Sequence, residues 1–348
     1  SRQFLFTLIS NNMKSNKFVF FKFWLIVASV AVFLLTAICL LPHDTYLRYK
    51  SLNIGTYAKA KWVYERVVFD DAPVDIAFIG TSHTLNSVDS HIIEERLNQS
   101  VQKKIHVANF SIPHFGRDLH FVLTKFLLEY KRPKLLIVEV RESEARDMHP
   151  ATHYLSEPMD LLAAPVLVNL RYANNLTHLP LRQFSLFFKT YVPFLFNDDL
   201  DFNRSDYLGT HLNYTLSHSG RSRNVTLPLE TLISNRERYY KDNKGKLDRS
   251  SPLKNFVFFN ANKSSLVSLS MQAALHNVKV VFLYLPHYGA LDESVDATFH
   301  KTLAETVIPP KTMLSKTDIW LDFGHLNAKG AKEMSEWLSK EILKHYDY

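Results

Sequence analysis

Cysteine is scarce in this 348-residue sequence, which contains one, Cys39. A single cysteine excludes a disulfide framework within the chain and any zinc site built from several thiolates. Cys39 also lies inside an apolar segment near the N-terminus. If the body of the chain lies outside the cytoplasm, the lack of disulfides fits a bacterial envelope better than a eukaryotic secretory lumen.

Glycine and proline are also few, at 9 and 14 residues, and no run of five or six like charges occurs. Because 46% of the residues are hydrophobic, the chain should fold, either as one large α/β domain with an insertion or as two small domains. The net charge of +7 is scattered, which argues against a nucleic-acid partner. A mildly basic surface favours an anionic polymer or anionic lipid headgroups instead.

The sequence also lacks the common zinc-protease motif. The 16 histidines are dispersed along the chain, and no His-Glu-x-x-His motif occurs among them. With one cysteine and dispersed histidines, we expect no metal site and no cofactor.

Charged residues are missing from the nineteen positions between Phe23 and Leu41. A helix of about twenty apolar residues spans the hydrocarbon core of a bilayer. Basic residues lie before it, so the positive-inside rule predicts that residues 1–22 are cytoplasmic, with the body periplasmic or extracellular on a single-pass anchor in the bacterial inner membrane. A cleaved signal peptide is the alternative, but its apolar region would be shorter. Residues 1–12 are either an upstream extension or a piece lying on the membrane.

Short apolar runs alternate with helical segments after a connector at 42–73. This alternation predicts a parallel sheet with helices on both sides, a three-layer α/β/α sandwich over 74–348. An insertion at 145–252, rich in aromatic residues, follows the third strand and is either a substrate-binding lid or a structural decoration. The predicted strands are 74–79, 105–110, 135–140 and 278–285, and the last helix is 328–345 with Asn327 as its N-cap.

Ser82 directly follows the first predicted strand in the motif Gly80-Thr81-Ser82. A residue in this position lies at the carboxyl edge of a parallel sheet, where α/β proteins bind their ligands. The first amides of the following helix point toward the same place, which suits a developing oxyanion. Ser82 is therefore a candidate nucleophile, provided that the chain supplies a base and a carboxylate.

Asp322 and His325 supply such a pair in a loop before the final helix. A serine hydroxyl needs a base within hydrogen-bond reach, and the base needs an orienting carboxylate. This is the single Asp-x-x-His in the chain, and it continues as Leu326-Asn327-x-x-Gly330. Two side chains three residues apart on one turn can face the same site.

These motifs together resemble the SGNH (GDSL-like) hydrolase superfamily. The segment from Gly80 to Thr84 resembles its first block, and Asp322-x-x-His325-Leu326-Asn327 resembles its last. Asn109 through Gly116 resembles the second block, whose glycine offers an oxyanion amide. The resemblance covers 74–346 apart from the insertion. It implies a serine nucleophile near the start of the domain and an Asp-His pair near the end.

The third block of the family is not matched, because the third strand continues as Glu139-Val140-Arg141-Glu142 without the expected asparagine. The oxyanion hole is therefore assigned to the amides of Ser82 and Gly116. Asn109 is the nearest side-chain candidate, although it could equally fix a turn.

Several further residues have two interpretations. His83 could contact substrate or be a local turn residue, and His287 and Tyr288 could line the cleft at the end of the fourth strand. His114 and Arg117 could bind an acid group or lie in a solvated loop. The charged residues Glu139, Arg141, Glu142 and Glu144 are predicted to form a solvated cluster.

With these motifs and an N-terminal anchor, the chain is similar to one group of the superfamily. That group includes the alginate O-acetylation proteins and the D-alanine transfer protein of the teichoic-acid pathway, which work beside a membrane-bound O-acyltransferase. The similarity implies transfer of an acyl group to a polysaccharide or other hydroxyl outside the cell. The alternatives are an esterase or deacetylase of the same fold, and a non-catalytic partner of the membrane enzyme.

Overall fold

The computed structural model of the protein describes residues 2–52, 55–144, 148–162, 164, 171–196, 201–218 and 221–345. The first element is a 38-residue helix, α1, over Arg2–Cys39. Its part Val19–Cys39 has a mean hydropathy of 2.3 and is long and apolar enough to cross a membrane, a property that anchors share with signal sequences. The helix ends two residues before the predicted boundary at Leu41. Pro42 follows Leu41, and a proline disfavours helical backbone at the residue before it.

A five-stranded parallel sheet forms the centre of the fold. The four predicted strands are confirmed to within two residues at each end, and a fifth, which carries no apolar run, was not predicted. The strands are β1 Ile76–Ile79, β2 Val107–Asn109, β3 Leu135–Val140, β4 Ser217–His218, β5 Arg221–Ser222, β6 Lys279–Tyr284 and β7 Glu305–Val307. The sheet has the order β2-β1-β3-β6-β7, and β4 and β5 form a separate antiparallel pair.

The strand order reverses beside β1. From β1 the chain crosses to β2 on one side and then returns to β3 on the other, so that β1 lies between them. Connections leave such a switch point in opposite directions and open a crevice at the carboxyl ends of the strands, where ligands bind. Ser82 follows β1 at this crevice, and Glu139 lies near the end of β3.

Helices pack on both faces of the sheet. Ala77 and Ile79 belong to the hydrophobic cluster on one face, and Ile76 and Phe78 belong to the cluster on the other. Each fully buried apolar side chain contributes about 1.5–3 kcal/mol, so these two clusters are a main source of stability. The helices after α1 are α2 Thr45–Lys50, α3 Lys59–Tyr64, α4 Ser82–Ser87, α5 Ser90–Ser100, α6 Arg117–Tyr130, α7 Thr152–Leu155, α8 Pro158–Leu162, α9 Tyr172–Tyr191, α10 Leu229–Asp242, α11 Lys244–Leu247, α12 Pro252–Leu275, α13 Ala297–Lys301, α14 Lys311–Leu314 and α15 Ala328–His345.

The final helix, α15, matches its prediction at both ends. The Asn327 side chain caps it by accepting a hydrogen bond from the Gly330 amide at 3.0 Å. Its apolar residues Met334, Leu338 and Ile342 are buried in the same hydrophobic cluster as Ile93 and Leu97 of α5. Helix α15 therefore fixes the loop that precedes it, which carries Asp322 and His325.

The connector between α1 and β1 packs into the core. Tyr49 is buried, and its ring lies 4.9 Å from the ring of Phe126 on α6. Tyr64 stacks on the same phenylalanine at 5.3 Å. The aromatic residues of this segment are thus core residues, so the segment is more than a polar tether.

The insertion contacts the rest of the protein at many places, and two of them concern α1 and the Asp322–His325 loop. Its helix α9 packs against α1. Farther along, the Arg223 side chain donates to the Leu326 carbonyl at 2.8 Å, and its own carbonyl accepts from the Ala328 amide at 3.1 Å. The Asn327 side chain donates to the Val225 carbonyl at 3.1 Å. The second half of the insertion is therefore bound directly to the end of the Asp322–His325 loop.

Candidate active site

Ser82 is the first residue of α4, three residues beyond β1. Thr81 caps this helix, because its backbone is extended and its hydroxyl accepts from the His83 amide at 3.2 Å. The turn is tight at Gly80, where an added Cβ would lie 2.1 Å from the Thr84 hydroxyl oxygen. The Gly-Thr-Ser motif thus forms a sharp strand-to-helix turn that places Ser82 at the sheet edge.

Asp322 and His325 lie in a compact loop before α15. The Leu321 amide donates to the His325 carbonyl at 2.9 Å and closes the loop. Within it, the carboxylate oxygen Oδ1 of Asp322 accepts from the amides of Gly324 at 2.7 Å and His325 at 2.9 Å. The backbone amides of the loop therefore orient the Asp322 carboxylate.

The three predicted residues meet at the carboxyl edge of the sheet. Ser82 Oγ lies 2.8 Å from His325 Nε2, and His325 Nδ1 lies 2.9 Å from both carboxylate oxygens of Asp322. Because a carboxylate can only accept, the proton on the imidazole is assigned to Nδ1, which leaves Nε2 to accept from the serine hydroxyl. This is the arrangement of a nucleophile, a base and an orienting carboxylate.

The Asp322 carboxylate is held in its charged form. Partial burial alone would raise its pKa, but the hydrogen bond and charge interaction with His325 and the amide hydrogen bonds in the loop outweigh that effect. The pKa of Asp322 therefore lies below its ordinary value. At neutral pH the carboxylate is ionised and can stabilise a positively charged imidazole.

Glu139 is buried beneath the serine turn, which corrects its predicted place in a solvated cluster. Its carboxylate accepts from the Thr81 amide at 2.7 Å, the Thr81 hydroxyl at 2.9 Å, the Thr84 amide at 3.2 Å and the Thr84 hydroxyl at 2.8 Å. These two threonines flank Ser82 in the motif. A lone carboxylate within an apolar strand was the available signal, because a buried charge requires partners.

Asn109 has a structural role in the fold. Its side-chain nitrogen donates to the carbonyls of Thr84 at 3.2 Å and Val88 at 3.0 Å, and its oxygen accepts from the Ser111 amide at 3.1 Å. Both N–H groups of the side chain are thereby used. This geometry corresponds to the turn-fixing alternative and leaves no donor on Asn109 for an oxyanion.

Gly116 caps α6 in a conformation that disfavours any other residue. Its φ of +134° lies in the region reserved for glycine, and an added Cβ would lie 2.1 Å from the backbone nitrogen of His149. Close backbone packing is therefore a sufficient reason for glycine at this position. Its assignment as an oxyanion donor belongs to the proposed mechanism.

We expect Gly116→Ala to lower the free energy of unfolding by about 3 kcal/mol or more, because the backbone must shift away from His149. The matched control is Gly209→Ala, at φ +83° but with open space around the added Cβ, which should cost about 1 kcal/mol. Chemical denaturation of the full chain in detergent measures both. Equal losses in the two variants would contradict the packing argument.

His83 and His287 extend the site beyond His325. The buried His83 ring lies 4.7 Å from the His325 ring and 5.4 Å from the His287 ring. His287 also lies 4.9 Å from Phe323, inside the Asp-x-x-His loop, and the neighbouring Tyr288 amide donates to the Phe323 carbonyl at 2.7 Å. His83 thus packs behind the candidate base, and His287 lies beside the loop.

Arg141 and Glu142 hold His287 in place. The prediction that they belong to a solvated cluster is wrong, because their side chains are 2% and 13% exposed. Arg141 is buried, with Nη2 2.6 Å from His287 Nε2. Glu142 Oε1 lies 3.1 Å from His287 Nδ1 and also accepts from the His287 amide. Burial would raise the pKa of Glu142, but the positive charge of Arg141 and the interactions with His287 depress it well below its usual range.

Arg117 and Glu144 form a fully buried ion pair. Arg117 therefore does not lie in a solvated loop, and Glu144 does not belong to a solvated cluster, as had been predicted for it. The Arg117 Nε and Nη2 atoms donate to the two Glu144 oxygens at 2.7 and 3.0 Å. A buried charge is stable when it is paired and hydrogen-bonded in this way. His114 is exposed, as the solvated-loop alternative expected.

A cleft of about 690 Å³ lies between α10 of the insertion and the segment that follows β6. Helix α10 of the insertion forms one wall, and the ring of its Tyr239 lies 4.9 Å from His287 and 5.4 Å from Phe323. Tyr240, next along α10, lines the cleft with Arg236 and Glu142. Sequence reasoning could not place α10 here, because the contacts join residues about fifty positions apart or more.

Metal-ligating side chains do not cluster in the part of the chain that the structure describes. His149 and His153 have the His-x-x-x-His spacing that some zinc sites use. His149 is instead engaged locally: Nε2 lies 2.8 Å from the Pro113 carbonyl, and Nδ1 accepts from the Ala151 amide at 3.0 Å.

No protein-family model and no curated protein matches this chain. The structure by itself establishes a mixed α/β fold with a five-stranded parallel sheet and an apolar N-terminal helix. At the carboxyl edge of that sheet, a serine, a histidine and an aspartate are joined by hydrogen bonds.

Proposed function

We propose that this protein is a serine-dependent acyltransferase of the SGNH type, which transfers an acyl group, such as acetyl, to a hydroxyl of a cell-envelope or extracellular polysaccharide. The observation that carries the proposal is the hydrogen-bonded series Ser82, His325 and Asp322, with distances of 2.8 and 2.9 Å. Its position at the carboxyl edge beside the strand-order switch supports the same conclusion.

In the first half-reaction, Ser82 Oγ attacks the carbonyl carbon of an acyl ester or thioester while its proton moves to His325 Nε2. Asp322 stabilises the resulting imidazolium through Nδ1. The tetrahedral intermediate then collapses, and the donor alcohol or thiol leaves with the proton from Nε2. The product is an acyl ester on Ser82.

In the second half-reaction, an acceptor hydroxyl attacks the acyl-serine carbonyl. His325 takes the hydroxyl proton and returns it to Ser82 Oγ as the new ester leaves. We assign the oxyanion in both steps to the amides of Ser82 and Gly116. We assign the acceptor to the cleft that Tyr240 and Arg236 line, which is linked to the site by the contact of Glu142 with His287.

The apolar segment Val19–Cys39 supports an anchored protein with its body outside the cytoplasmic membrane. In that location acyl thioesters of the cytoplasm are out of reach, so a membrane-bound O-acyltransferase is the partner that we propose to supply the acyl group.

Hydrolysis is the second candidate activity. The side chains of His325 and Asp322 are 27% and 38% exposed, so water can reach the candidate base. Since the same triad serves both reactions, the acceptor decides between transfer and hydrolysis.

We expect the full chain, incubated with an aryl acetate, to gain the mass of one acetyl group and to react at Ser82 with a fluorophosphonate probe. Ser82→Ala should abolish both, because it removes the attacking oxygen. The matched control Ser87→Ala, on the same helix, should retain both. Intact-mass spectrometry measures the adducts.

Labelling that persists in the Ser82→Ala variant would contradict the assignment of the nucleophile. Failure of the folded native chain to react with either reagent would favour the non-catalytic partner. A native chain that acetylates added polysaccharide faster than it releases acetate is a transferase, and the reverse result identifies an esterase.

A further inference from the structure

Helix α9 exposes an apolar stripe. Leu181, Phe184 and Tyr191 are 74%, 50% and 56% exposed, and the spacing of three and four residues that links them through Phe188 places them on one side of the helix. The chain then continues to Phe194 and Leu195, which are also exposed. We call this set the α9 face; it consists of Leu181, Phe184, Phe188, Tyr191, Phe194 and Leu195.

The opposite side of α9 is buried and partly polar. Asn175 and Gln183 are buried there with Leu179 and Leu186. The Gln183 side-chain nitrogen donates to the Leu41 carbonyl at 3.0 Å. A helix on the surface of a protein in water normally buries its apolar side and exposes its polar side. In α9 the large aromatic residues are outside, so water is an unfavourable surrounding for this surface.

Helix α9 packs beside the end of the candidate membrane span through the side opposite to the α9 face. Leu179 of α9 packs in one cluster with Cys39, the last residue of α1, and with Leu161. Five residues farther along the chain, the Asp44 amide donates to the Thr190 hydroxyl at 2.9 Å. The segment that leaves α1 therefore runs along α9, and both lie where a spanning α1 would leave the bilayer.

We propose that the α9 face lies in the membrane interface, in contact with lipid. Phenylalanine and tyrosine are favoured at that depth, because their rings are apolar and the tyrosine hydroxyl can reach water. Helices with one apolar side bind in the plane of the interface in this way. Two contacts with the bilayer, α1 and the α9 face, would fix the orientation of the catalytic body. This inference does not depend on the proposed acyl transfer.

The test uses the full chain in bilayer nanodiscs of phosphatidylethanolamine and phosphatidylglycerol. Cys39→Ala removes the single native cysteine, and Phe184→Cys, Tyr191→Cys or Phe194→Cys then introduces one site for a nitroxide spin label. Collisions with oxygen, which partitions into lipid, are compared with collisions with a water-soluble nickel complex. We expect an oxygen-to-nickel collision ratio several-fold higher at these sites than at the control sites.

Ser185→Cys is the matched control, because Ser185 is also exposed on α9 but lies beside the stripe. Leu253→Cys is a second control at an apolar residue of α12 that is 72% exposed. Ratios at 184, 191 and 194 that equal those at 185 and 253 would overturn the proposal. Labels that are shielded from both reagents would also overturn it, because they would indicate that a second copy of this chain covers the α9 face.

Discussion

Replacing Asp322 with Asn should lower the rate of Ser82 acylation by about 10⁴-fold without unfolding the protein. In the native site, the carboxylate accepts a hydrogen bond from His325 Nδ1 at 2.9 Å, which leaves Nε2 to accept from Ser82. An amide at this position can donate to Nδ1 and so favours the other imidazole tautomer. Its Nε2 would then carry the proton and could not take one from the serine.

Single-turnover acylation by an aryl acetate, followed by intact mass, measures this effect. Asp318→Asn is the matched control, since Asp318 is an exposed carboxylate four residues earlier that pairs with Lys329 outside the site. It should acylate at the native rate. A folded Asp322→Asn variant that acylates within about tenfold of native would contradict the assigned base mechanism.

The depressed pKa of Asp322 fixes the sign of a pH effect on stability. Because its folded pKa lies below the ordinary value of about 3.9, this carboxylate contributes stability above that pH and loses it as the pH falls through the folded pKa. The gap in unfolding free energy between native chain and Asp322→Asn should therefore narrow below about pH 4.

Removing the Glu139 carboxylate should disturb the serine turn, because this carboxylate holds Thr81 and Thr84. Glu139→Ala leaves the buried amides of Thr81 and Thr84 without their acceptor, which costs about 1–3 kcal/mol for each unsatisfied group. A turn displaced by about 1 Å lowers the acylation rate by roughly 10²-fold. Glu139→Gln retains one oxygen acceptor, so both stability and acylation should lie between the native and alanine values.

Glu144→Gln separates positioning from general loss of stability. Glu144 is a fully buried carboxylate, and both of its oxygens accept hydrogen bonds from Arg117 on α6. This variant should melt at lower temperature but acylate at the native rate per folded molecule. Native acylation by folded Glu139→Ala would show that Glu139 does not position Ser82.

Local patterns in the sequence predicted the elements that local forces determine. Four apolar runs became four of the five strands of the parallel sheet, and the last helix begins at Ala328 with Asn327 as its cap. Side-chain periodicity and capping act over a few residues, so local sequence predicts them. The short strand Glu305–Val307 has no apolar run and was missed. Ser82, Asp322 and His325 were predicted as candidate site residues from their positions next to a predictable strand and helix and from the short motifs that contain them.

The tertiary structure decided which charged and polar side chains are buried and what they contact. Glu139, Arg117 and Glu144 were predicted to lie in solvated segments. The structure pairs Glu139 with Thr81, 58 positions earlier, and Arg117 with Glu144, 27 positions later. Asn109 was predicted as a candidate oxyanion residue or a turn-fixing residue, and the carbonyls that it contacts come from α4 and the residue after it. Helix α10 contacts His287 across the fold. Burial and long-range hydrogen bonds depend on chain packing, which local periodicity does not encode.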